Sequence, residues 1–165
     1  MHRTKTNVLF VSRSNAFRSL LAEACLRQLG AHKFKVYSCG VPSEVAQTPD
    51  SWALLALQTA GIPTTGLTCK GWTEFTRSGA PRMDFVISLD AKTAGDHPNW
   101  KGQPETALWD YPALTDLKGK KGNPGIDSIQ TLVSLRRRVE LLVSLHSRVQ
   151  TRSELRHDLR DLAHI

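Results

Sequence analysis

The chain has 165 residues, 40% of them hydrophobic and 22% charged, and a formal net charge of +7 at pH 7. These values are typical of one globular domain with a sizeable core, and no apolar run approaches the roughly 20 residues of a membrane span. Three cysteines without a C-x-x-C spacing, and a basic start followed by only four apolar residues, predict a cytoplasmic protein with reduced thiols, no metal site and no cofactor.

The first thirty residues predict a strand, a tight loop and a helix. Val8–Val11 is a continuous apolar run, as in a central strand buried on both faces. The helix is predicted over about Phe17–Leu29, with Gly30 as its C-cap. The intervening Ser12–Ser19 loop would direct its N–H groups and a helix N-terminus at one point, which makes an anion site. Arg18 could bind that anion with a bidentate fork.

Alternating helices and strands are predicted through the middle of the chain. A strand at Phe34–Cys39 is followed by a helix with Thr48 as N-cap that contains Trp52, Leu54, Leu55 and Leu57. A short helical turn at Lys70–Phe75 and a strand at Asp84–Leu89 come next. A short helix at Asp90–Gly95 and a strand at Thr106–Trp109 complete this part of the chain. This order predicts an α/β fold with three layers, in which a four-stranded, mostly parallel sheet has helices on both faces. In such sheets ligands bind beyond the carboxyl ends of the strands, where the Ser12–Ser19 loop begins.

The C-terminal third is helical and basic. A long amphipathic helix is predicted over about Asp127–Arg148. The apolar residues of its inward stripe, at helical spacing, are Ile129, Leu132, Val133, Leu135, Val139, Leu142, Val143 and Val149. A polar helix at Ser153–Leu162 follows, so we divide the chain into a domain of residues 1–150 and a C-terminal helical extension of residues 151–165. From Lys118 onward ten Lys and Arg residues oppose five Asp and Glu residues. We interpret this charge as a solvated helix face rather than a nucleic-acid surface, because no aromatic residues are interleaved.

The first loop and helix carry a family motif. Ser12-Arg13-Ser14-Asn15-Ala16-Phe17-Arg18-Ser19, followed by Leu21-Ala22-Glu23-Ala24, resembles the C-x-G-N-x-x-R-S loop and the M-A-E-A helix of the low-molecular-weight protein tyrosine phosphatases and the related thioredoxin-coupled arsenate reductases. Further matches follow in order over about the first 115 residues, namely Ser38-Cys39-Gly40, Thr48-Pro49, Gly61-Ile62, Asp84-Phe85-Val86-Ile87 and Trp109-Asp110.

The resemblance implies a site and a mechanism. In that family the Cys attacks phosphorus, the loop amides and the Arg hold the phosphoryl oxygens, and a later Asp protonates the leaving group. Residue by residue, it implies phosphate binding by Ser12, Arg13, Ser14, Asn15, Ala16, Phe17, Arg18 and Ser19. The catalytic positions are Ser12 and Arg18. Ala113 stands at the acid's position, so Asp110 would substitute as the acid if the loop shifts, with Asp116 as the alternative. Tyr111 is predicted to line the substrate cleft.

Two substitutions separate this chain from the family pattern. An anion-binding loop can lower the pKa of a cysteine enough to supply thiolate at neutral pH, but the hydroxyl of Ser12 ionises far above that range and would need an adjacent base. Ser14 stands where the family has Gly, so a positive φ there would strain the loop. The segment Ser88-Leu89-Asp90 contains no Cys for a redox relay, which disfavours arsenate reduction.

Three hypotheses about function follow. The first is a phosphatase-like protein that binds phosphate, a phosphorylated protein or another oxyanion but has lost turnover. The second is an active phosphomonoester hydrolase that uses Ser12, or a trapping variant of such an enzyme. The third is a scaffold whose protein partner binds the basic C-terminal helices, among them the triplet of Arg136, Arg137 and Arg138.

Overall fold

A single parallel sheet organises the fold. The computed structural model describes residues 5–113, 123–146 and 152–165. Its elements in chain order are β1 (Thr6–Val11), α1 (Arg18–Gly30), β2 (Phe34–Cys39), α2 (Ser51–Thr59), a 3-10 helix (Trp72–Phe75), β3 (Phe85–Ser88), α3 (Ala91–Asp96), β4 (Glu105–Leu108), α4 (Pro124–His146) and α5 (Arg152–Leu162). The strands lie in the order β2-β1-β3-β4, and each neighbouring pair is parallel. This confirms the predicted α/β fold with a four-stranded sheet.

The two faces of β1 contribute to two hydrophobic cores. Val8 and Phe10 pack with apolar residues of α1, α2, α4 and α5, whereas Leu9 and Val11 face a smaller cluster. The smaller cluster includes Phe75 of the 3-10 helix. Because successive side chains of a strand point to opposite faces, the apolar run of β1 is buried on both sides, as predicted.

Helix α1 lies at the centre of the larger core. Every residue from Arg18 to Leu26 is buried. The prediction that Gly30 is a C-cap is wrong, because Gly30 is the last helical residue and Ala31 is the cap. A Cβ atom at position 30 would lie 2.9 Å from the side chain of Phe34, so the glycine is needed for close packing between α1 and β2.

Helix α2 is capped two residues later than predicted. Asp50, not Thr48, is the N-cap, and its carboxylate accepts a hydrogen bond from Trp52 N at 2.8 Å. The N–H group of Asp50 donates to the carbonyl of Ala16 at 2.9 Å. This bond holds the start of α2 against the Ser12–Ser19 loop.

Helix α4 has a narrower buried stripe than predicted. Leu132, Leu135, Val139 and Leu142 are buried. The prediction that Ile129 and Val133 face inward is wrong, since they are 44% and 61% exposed. The predicted end of this helix at Arg148, and Val149 of its predicted stripe, lie outside the described residues. Within the described ranges, no helix has the length and apolar character needed to cross a membrane.

Helix α5 packs on the sheet. Leu159 and Leu162 belong to the larger core, and the buried indole of Trp109 donates to the carbonyl of Leu159 at 3.0 Å. Arg156 pairs with Glu105 on β4 at 3.3 Å. The division at residue 150 stays a prediction, but the helix beyond it shares the core of the domain.

Candidate functional site

The predicted site residues lie at one edge of the sheet. Ser12 follows β1, Gly40 follows β2, Asp90 lies beyond β3, and Asp110 and Tyr111 lie beyond β4. Because all four strands are parallel, their carboxyl ends meet at this edge, where α/β proteins bind ligands.

Asn15 determines the shape of the Ser12–Ser19 loop. It has a φ of 53°, and its side-chain amide donates to Ser19 Oγ at 2.7 Å and to Ser38 Oγ at 2.9 Å. Its Oδ1 accepts from Lys70 N at 2.9 Å. The expected strain at Ser14 is absent because the left-handed residue of the loop is Asn15, and Asn tolerates this conformation better than most residues.

The loop is supported from outside through its carbonyl groups. The carbonyls of Arg13 and Ser14 accept hydrogen bonds from Val41 N at 2.9 Å and Ala46 N at 3.0 Å. A Cβ atom at Gly40 would lie 2.8 Å from the Arg13 carbonyl oxygen, which explains the glycine in the Ser38-Cys39-Gly40 turn. Across the part of the chain that the structure describes, no acceptor contacts the N–H groups of residues 13–17. These donors are therefore available to the oxygens of a ligand.

The N-terminus of α1 adds to this positive potential. Phe17 occupies its N-cap position without a side-chain hydrogen bond, and its first turn contains no acidic residue. The unsatisfied N–H groups at a helix start carry partial positive charge and favour an anion.

A buried polar network supports the loop from below. Ser38 Oγ, which accepts from Asn15, donates to Glu23, and Glu23 pairs with Arg27 on the next turn of α1. Glu23 is only 2% exposed, and a buried carboxylate requires such partners. The Glu of the Leu21-Ala22-Glu23-Ala24 motif therefore serves the shape of the loop, a role that the sequence analysis missed.

Arg18 is the buried cation of the site. Its Nη1 donates to the carbonyl of Tyr111 at 2.8 Å, and its Nη2 lies 3.5 Å from Asp90 Oδ2. The side chain therefore connects the segments that follow β1, β3 and β4. A guanidinium held in this way is oriented before a ligand arrives, which reduces the entropic cost of binding.

Asp90 was not predicted as a site residue. It is the N-cap of α3, where Oδ1 accepts from Thr93 N at 2.7 Å, and its Oδ2 has no hydrogen-bond partner in the described structure beyond the ion pair with Arg18. The available signal was an Asp placed directly between a buried strand and a helix start, which marks both a cap and the functional edge of the sheet.

The side chain of Arg13 pairs with carboxylates at the rim. Its guanidinium contacts Glu44 and lies 3.2 Å from Asp96, and the hydrogen bond with Glu44 raises the pKa of Arg13. Of the predicted phosphate-binding residues, Arg13 is therefore placed to contribute mainly its backbone N–H group.

Ser12 has a hydroxyl partner and no base. Its Oγ donates to Ser19 Oγ at 2.6 Å, and both side chains are buried. Among the described residues, no His, Lys or carboxylate forms a hydrogen bond with Ser12. A serine nucleophile is weak at its ordinary pKa and depends on such a base.

The predicted acid and cleft residues differ in their surroundings. The side chain of Asp110 is exposed, and Ala113, at the family's acid position, is half-buried. The ring of Tyr111 is buried, its hydroxyl lies 2.8 Å from Ser134 Oγ, and its face is 4.8 Å from the guanidinium carbon of Arg138. Burial raises the pKa of this hydroxyl. The roles of Asp110 and Tyr111 stay predictions.

Burial disfavours the thiolate form of all three cysteines. Burial raises the pKa of Cys25 to about 12 and also raises the pKa values of Cys39 and Cys69. Cys39 ends β2, and its carbonyl accepts from Ser12 N at 3.2 Å. In the described ranges, no group of three or more His, Cys, Asp or Glu side chains could hold a metal ion.

Comparison with known proteins agrees with this geometry. The sequence pattern of the low molecular weight phosphotyrosine protein phosphatase family matches residues 7–109. A glutaredoxin arsenate reductase of Synechocystis sp. is 33% identical over 102 residues, which are 62% of this chain and 73% of the relative.

Solved structures share the fold. An arsenate reductase in the phosphate binding state is 26% identical, with a TM-score of 0.67 over 85% of this chain and 98% of the other. YfkJ from Bacillus subtilis, at 22% identity, has a TM-score of 0.67 over 91% of this chain and all of the other. Wzb of Vibrio vulnificus in complex with benzylphosphonate, at 13% identity, has a TM-score of 0.67 over 86% and 99% of the two chains. The last two similarities concern the fold alone.

Proposed function

Because this chain belongs to the low molecular weight phosphotyrosine protein phosphatase family, we propose that its Ser12–Ser19 loop binds phosphate or the phosphoryl group of a phosphorylated protein. The observation that carries the proposal is the position of Arg18. This buried guanidinium is held by Tyr111 and Asp90 beside a loop whose N–H groups at residues 13–17 have no acceptor in the described structure. Charge-assisted hydrogen bonds from such donors suit a tetrahedral oxyanion.

We further propose that the protein binds this group with little or no turnover. The Ser12 hydroxyl donates to Ser19 and has no basic partner among the described residues. Ala113 cannot protonate a leaving group, the side chain of Asp110 is exposed, and Asp116 lies outside the described residues. The oxyanion-binding half of a phosphatase site is present, whereas the nucleophile and acid are replaced by residues that do not perform those steps.

Hydrolysis by Ser12 is the second candidate within this site. The feature that favours it is the hydrogen bond between Ser12 and Ser19, which fixes the Ser12 oxygen inside the loop. A trapping variant of an active enzyme would show the same feature. A serine hydrolase and a trapping variant both require the rest of the site to be competent for catalysis.

Thiol-based arsenate reduction has weaker support, although relatives carry that name. The nucleophile position holds Ser12, and burial raises the pKa values of Cys25 and Cys39. Protonated, buried thiols are poor nucleophiles and do not relay disulfides readily. Arsenate is also a tetrahedral oxyanion, so binding without reduction is compatible with the proposal.

Only part of the basic surface on which the scaffold hypothesis depends is exposed. Arg136 and Arg137 lie at the surface of α4, whereas Arg138 is buried and donates to the carbonyls of Ala163 and Ile165. The interpretation of all three arginines as a solvated face is therefore wrong for Arg138. A protein partner at this end and a cytoplasmic location remain proposals.

The test is calorimetric titration of phosphate and of vanadate into the protein and into Arg18→Ala, with Arg77→Ala, a change of equal charge on an exposed loop, as the control. We expect binding by the parent and the control and a loss of about tenfold or more in Arg18→Ala. Equal affinities in all three proteins, or no binding by any, would overturn the proposal. Hydrolysis of p-nitrophenyl phosphate that Ser12→Ala abolishes would instead establish a serine enzyme.

A further inference from the structure

The large exposed apolar side chains in the described part of the chain share one surface. Among the described residues, the large hydrophobic side chains that are more than about two-fifths exposed come from α2, α4 and the segment after α5. We name their surface the α2–α4 face, and its members are Leu55 at 51%, Ile126 at 55%, Ile129 at 44%, Val133 at 61% and Ile165 at 55%. Single exposed apolar residues are ordinary, but a contiguous group marks an interaction site.

Two adjoining grooves make this face concave. One, of about 240 Å³, lies between α2 and the start of α4 and includes Trp52, Leu55 and Ile129 in its walls. The other, of about 480 Å³, lies beside the middle turns of α4 and includes Ile129, Val133 and Ile165 in its walls. Ile129 borders both grooves, so they form one continuous surface. Concave apolar grooves accept projecting side chains.

Three of the exposed apolar residues form a stripe along one side of α4, which suits contact with a partner helix. Ile126, Ile129 and Val133 are spaced by three and four residues, so they lie on one side of α4 over two turns. A helix laid along this groove would present its own apolar side chains at the same spacing. This arrangement is one of the recurring modes of peptide recognition.

The rim of the face is basic. Arg137 is exposed and borders both the larger groove and a neighbouring depression formed with Val133 and Arg136. Arg136 pairs with Glu140 at 3.3 Å, whereas Arg137 forms no ion pair with the residues that the structure describes. With a chain charge of +7, this rim favours acidic side chains and repels basic ones.

We propose that the α2–α4 face binds an amphipathic helix of a protein partner that carries apolar residues on one side and acidic residues along its flank. A second copy of this chain fits less well because its own Arg136 and Arg137 would approach the same basic rim. A lipid surface fits less well because it cannot insert ordered side chains into two grooves. The proposal is independent of oxyanion binding by the Ser12–Ser19 loop.

The experiment uses a fluorescein-labelled synthetic helix with Leu on one side and Glu on its flanks, and a matched peptide with Lys in place of each Glu. Fluorescence anisotropy with the full chain is expected to show binding of the Glu peptide about tenfold or more tighter than the Lys peptide at low salt. Val133→Gln and Ile129→Gln should each weaken the Glu peptide about tenfold. Arg137→Glu should reduce the preference for Glu over Lys, whereas Lys92→Gln on α3 should not.

Other results would overturn the proposal. These are equal binding of both peptides, binding that is unchanged in Val133→Gln and Ile129→Gln although circular dichroism shows folded proteins, or no binding. Sedimentation that shows a dimer lost in Val133→Gln would assign the face to a second copy. Binding to phosphatidylserine vesicles that depends on Val133, without binding of the Glu peptide, would assign it to a membrane.

Discussion

Arg18 donates a hydrogen bond from Nη1 to the carbonyl oxygen of Tyr111 at 2.8 Å. This bond joins the loop after β1 to the segment after β4 through a backbone atom, so the side chain at position 111 is free to serve another purpose. That side chain is buried against α4, with its hydroxyl at Ser134 and its ring near Arg138.

Tyr111→Phe is therefore expected to change stability more than anion binding. Loss of the hydrogen bond with Ser134 should lower the free energy of unfolding by about 1 kcal/mol, while the affinity for phosphate stays within about twofold because the carbonyl contact remains. Urea unfolding and calorimetric titration measure the two quantities. A selective loss of affinity for phenyl phosphate would instead support the predicted role of Tyr111 in the substrate cleft.

Asp90→Asn tests the charge beside Arg18. The carboxylate pairs with the guanidinium at 3.5 Å and opposes an anion in the loop, whereas Tyr111 still orients Arg18 when that charge is removed. We expect phosphate to bind about fivefold more tightly, which corresponds to about 1 kcal/mol. Titration of phosphate into Asp84→Asn controls for net charge, because Asp84 directly precedes β3 at the amino ends of the strands. Weaker binding in Asp90→Asn would mean that Asp90, not Tyr111, orients Arg18.

Local patterns in the sequence predicted the elements of the fold, whereas several tertiary contacts could not be inferred from them. The apolar run Val8–Val11 and the motif through Ser19 correctly placed the sheet and its loop, because burial on both faces has a clear local signature. The inward stripe of α4 was too wide because Ile129 and Val133 follow helical spacing but have no element of the described chain above them. Periodicity shows which residues share a side of a helix, not which neighbour covers them.

In the candidate site, too, local motifs could be predicted from the sequence, whereas contacts between distant residues could not. The resemblance pointed to Asn15, Arg18 and Ser19, and the structure places Asn15 in the loop after β1 and the other two in the first turn of α1. Asp90 was missed because its contact with Arg18 joins residues 72 positions apart, a relationship that strand order creates and spacing cannot show. The strain expected at Ser14 was misplaced for a similar reason, since the side-chain bonds of Asn15 decide where the loop turns.

Ser12→Cys is expected to create a phosphatase. The loop amides and Arg18 would lower the pKa of a thiol at this position, as anion-binding loops do, and the phosphoryl oxygens would meet existing donors. Hydrolysis of p-nitrophenyl phosphate should rise roughly 10²-fold or more over the parent, and addition of Ala113→Asp should raise kcat further by supplying an acid. Ser12→Cys combined with Arg18→Ala should lose the gain. A Ser12→Cys protein that binds phosphate but is as inactive as the parent would contradict this prediction.

Trp109→Phe tests how firmly α5 is attached. The substitution removes the hydrogen bond from Trp109 Nε1 to the Leu159 carbonyl. It also leaves a cavity, because a smaller ring replaces the fully buried indole. We expect the free energy of unfolding to fall by about 2–4 kcal/mol. Trp52→Phe, at a half-buried position on α2, should cost less. Hydrogen exchange should show faster opening of α5 in Trp109→Phe, and unchanged protection of α5 would argue against this attachment.

His146 is expected to make stability depend on pH. Its Nε2 lies 2.9 Å from Thr6 Oγ1, and the centroid of its ring lies 4.5 Å from that of Phe34, with the two rings tilted by 53°. Burial, with a smaller effect of Lys33, lowers the pKa of His146 below 6.5. His146 therefore binds a proton more readily in the unfolded chain than in the folded chain. Between its folded and unfolded pKa values, the free energy of unfolding should rise with pH.

The stabilising contribution of neutral His146 should be complete above about pH 6.5 and should be lost as the pH falls through the lower, folded-state value. His146→Gln is expected to flatten this part of the profile because glutamine does not titrate, while its amide can still bond to Thr6. Urea unfolding across this pH range measures the slopes, and His32→Gln, at an exposed position after α1, is the matched control. A slope that persists in His146→Gln and disappears in His32→Gln would assign the pH dependence to His32 and contradict the inference from burial.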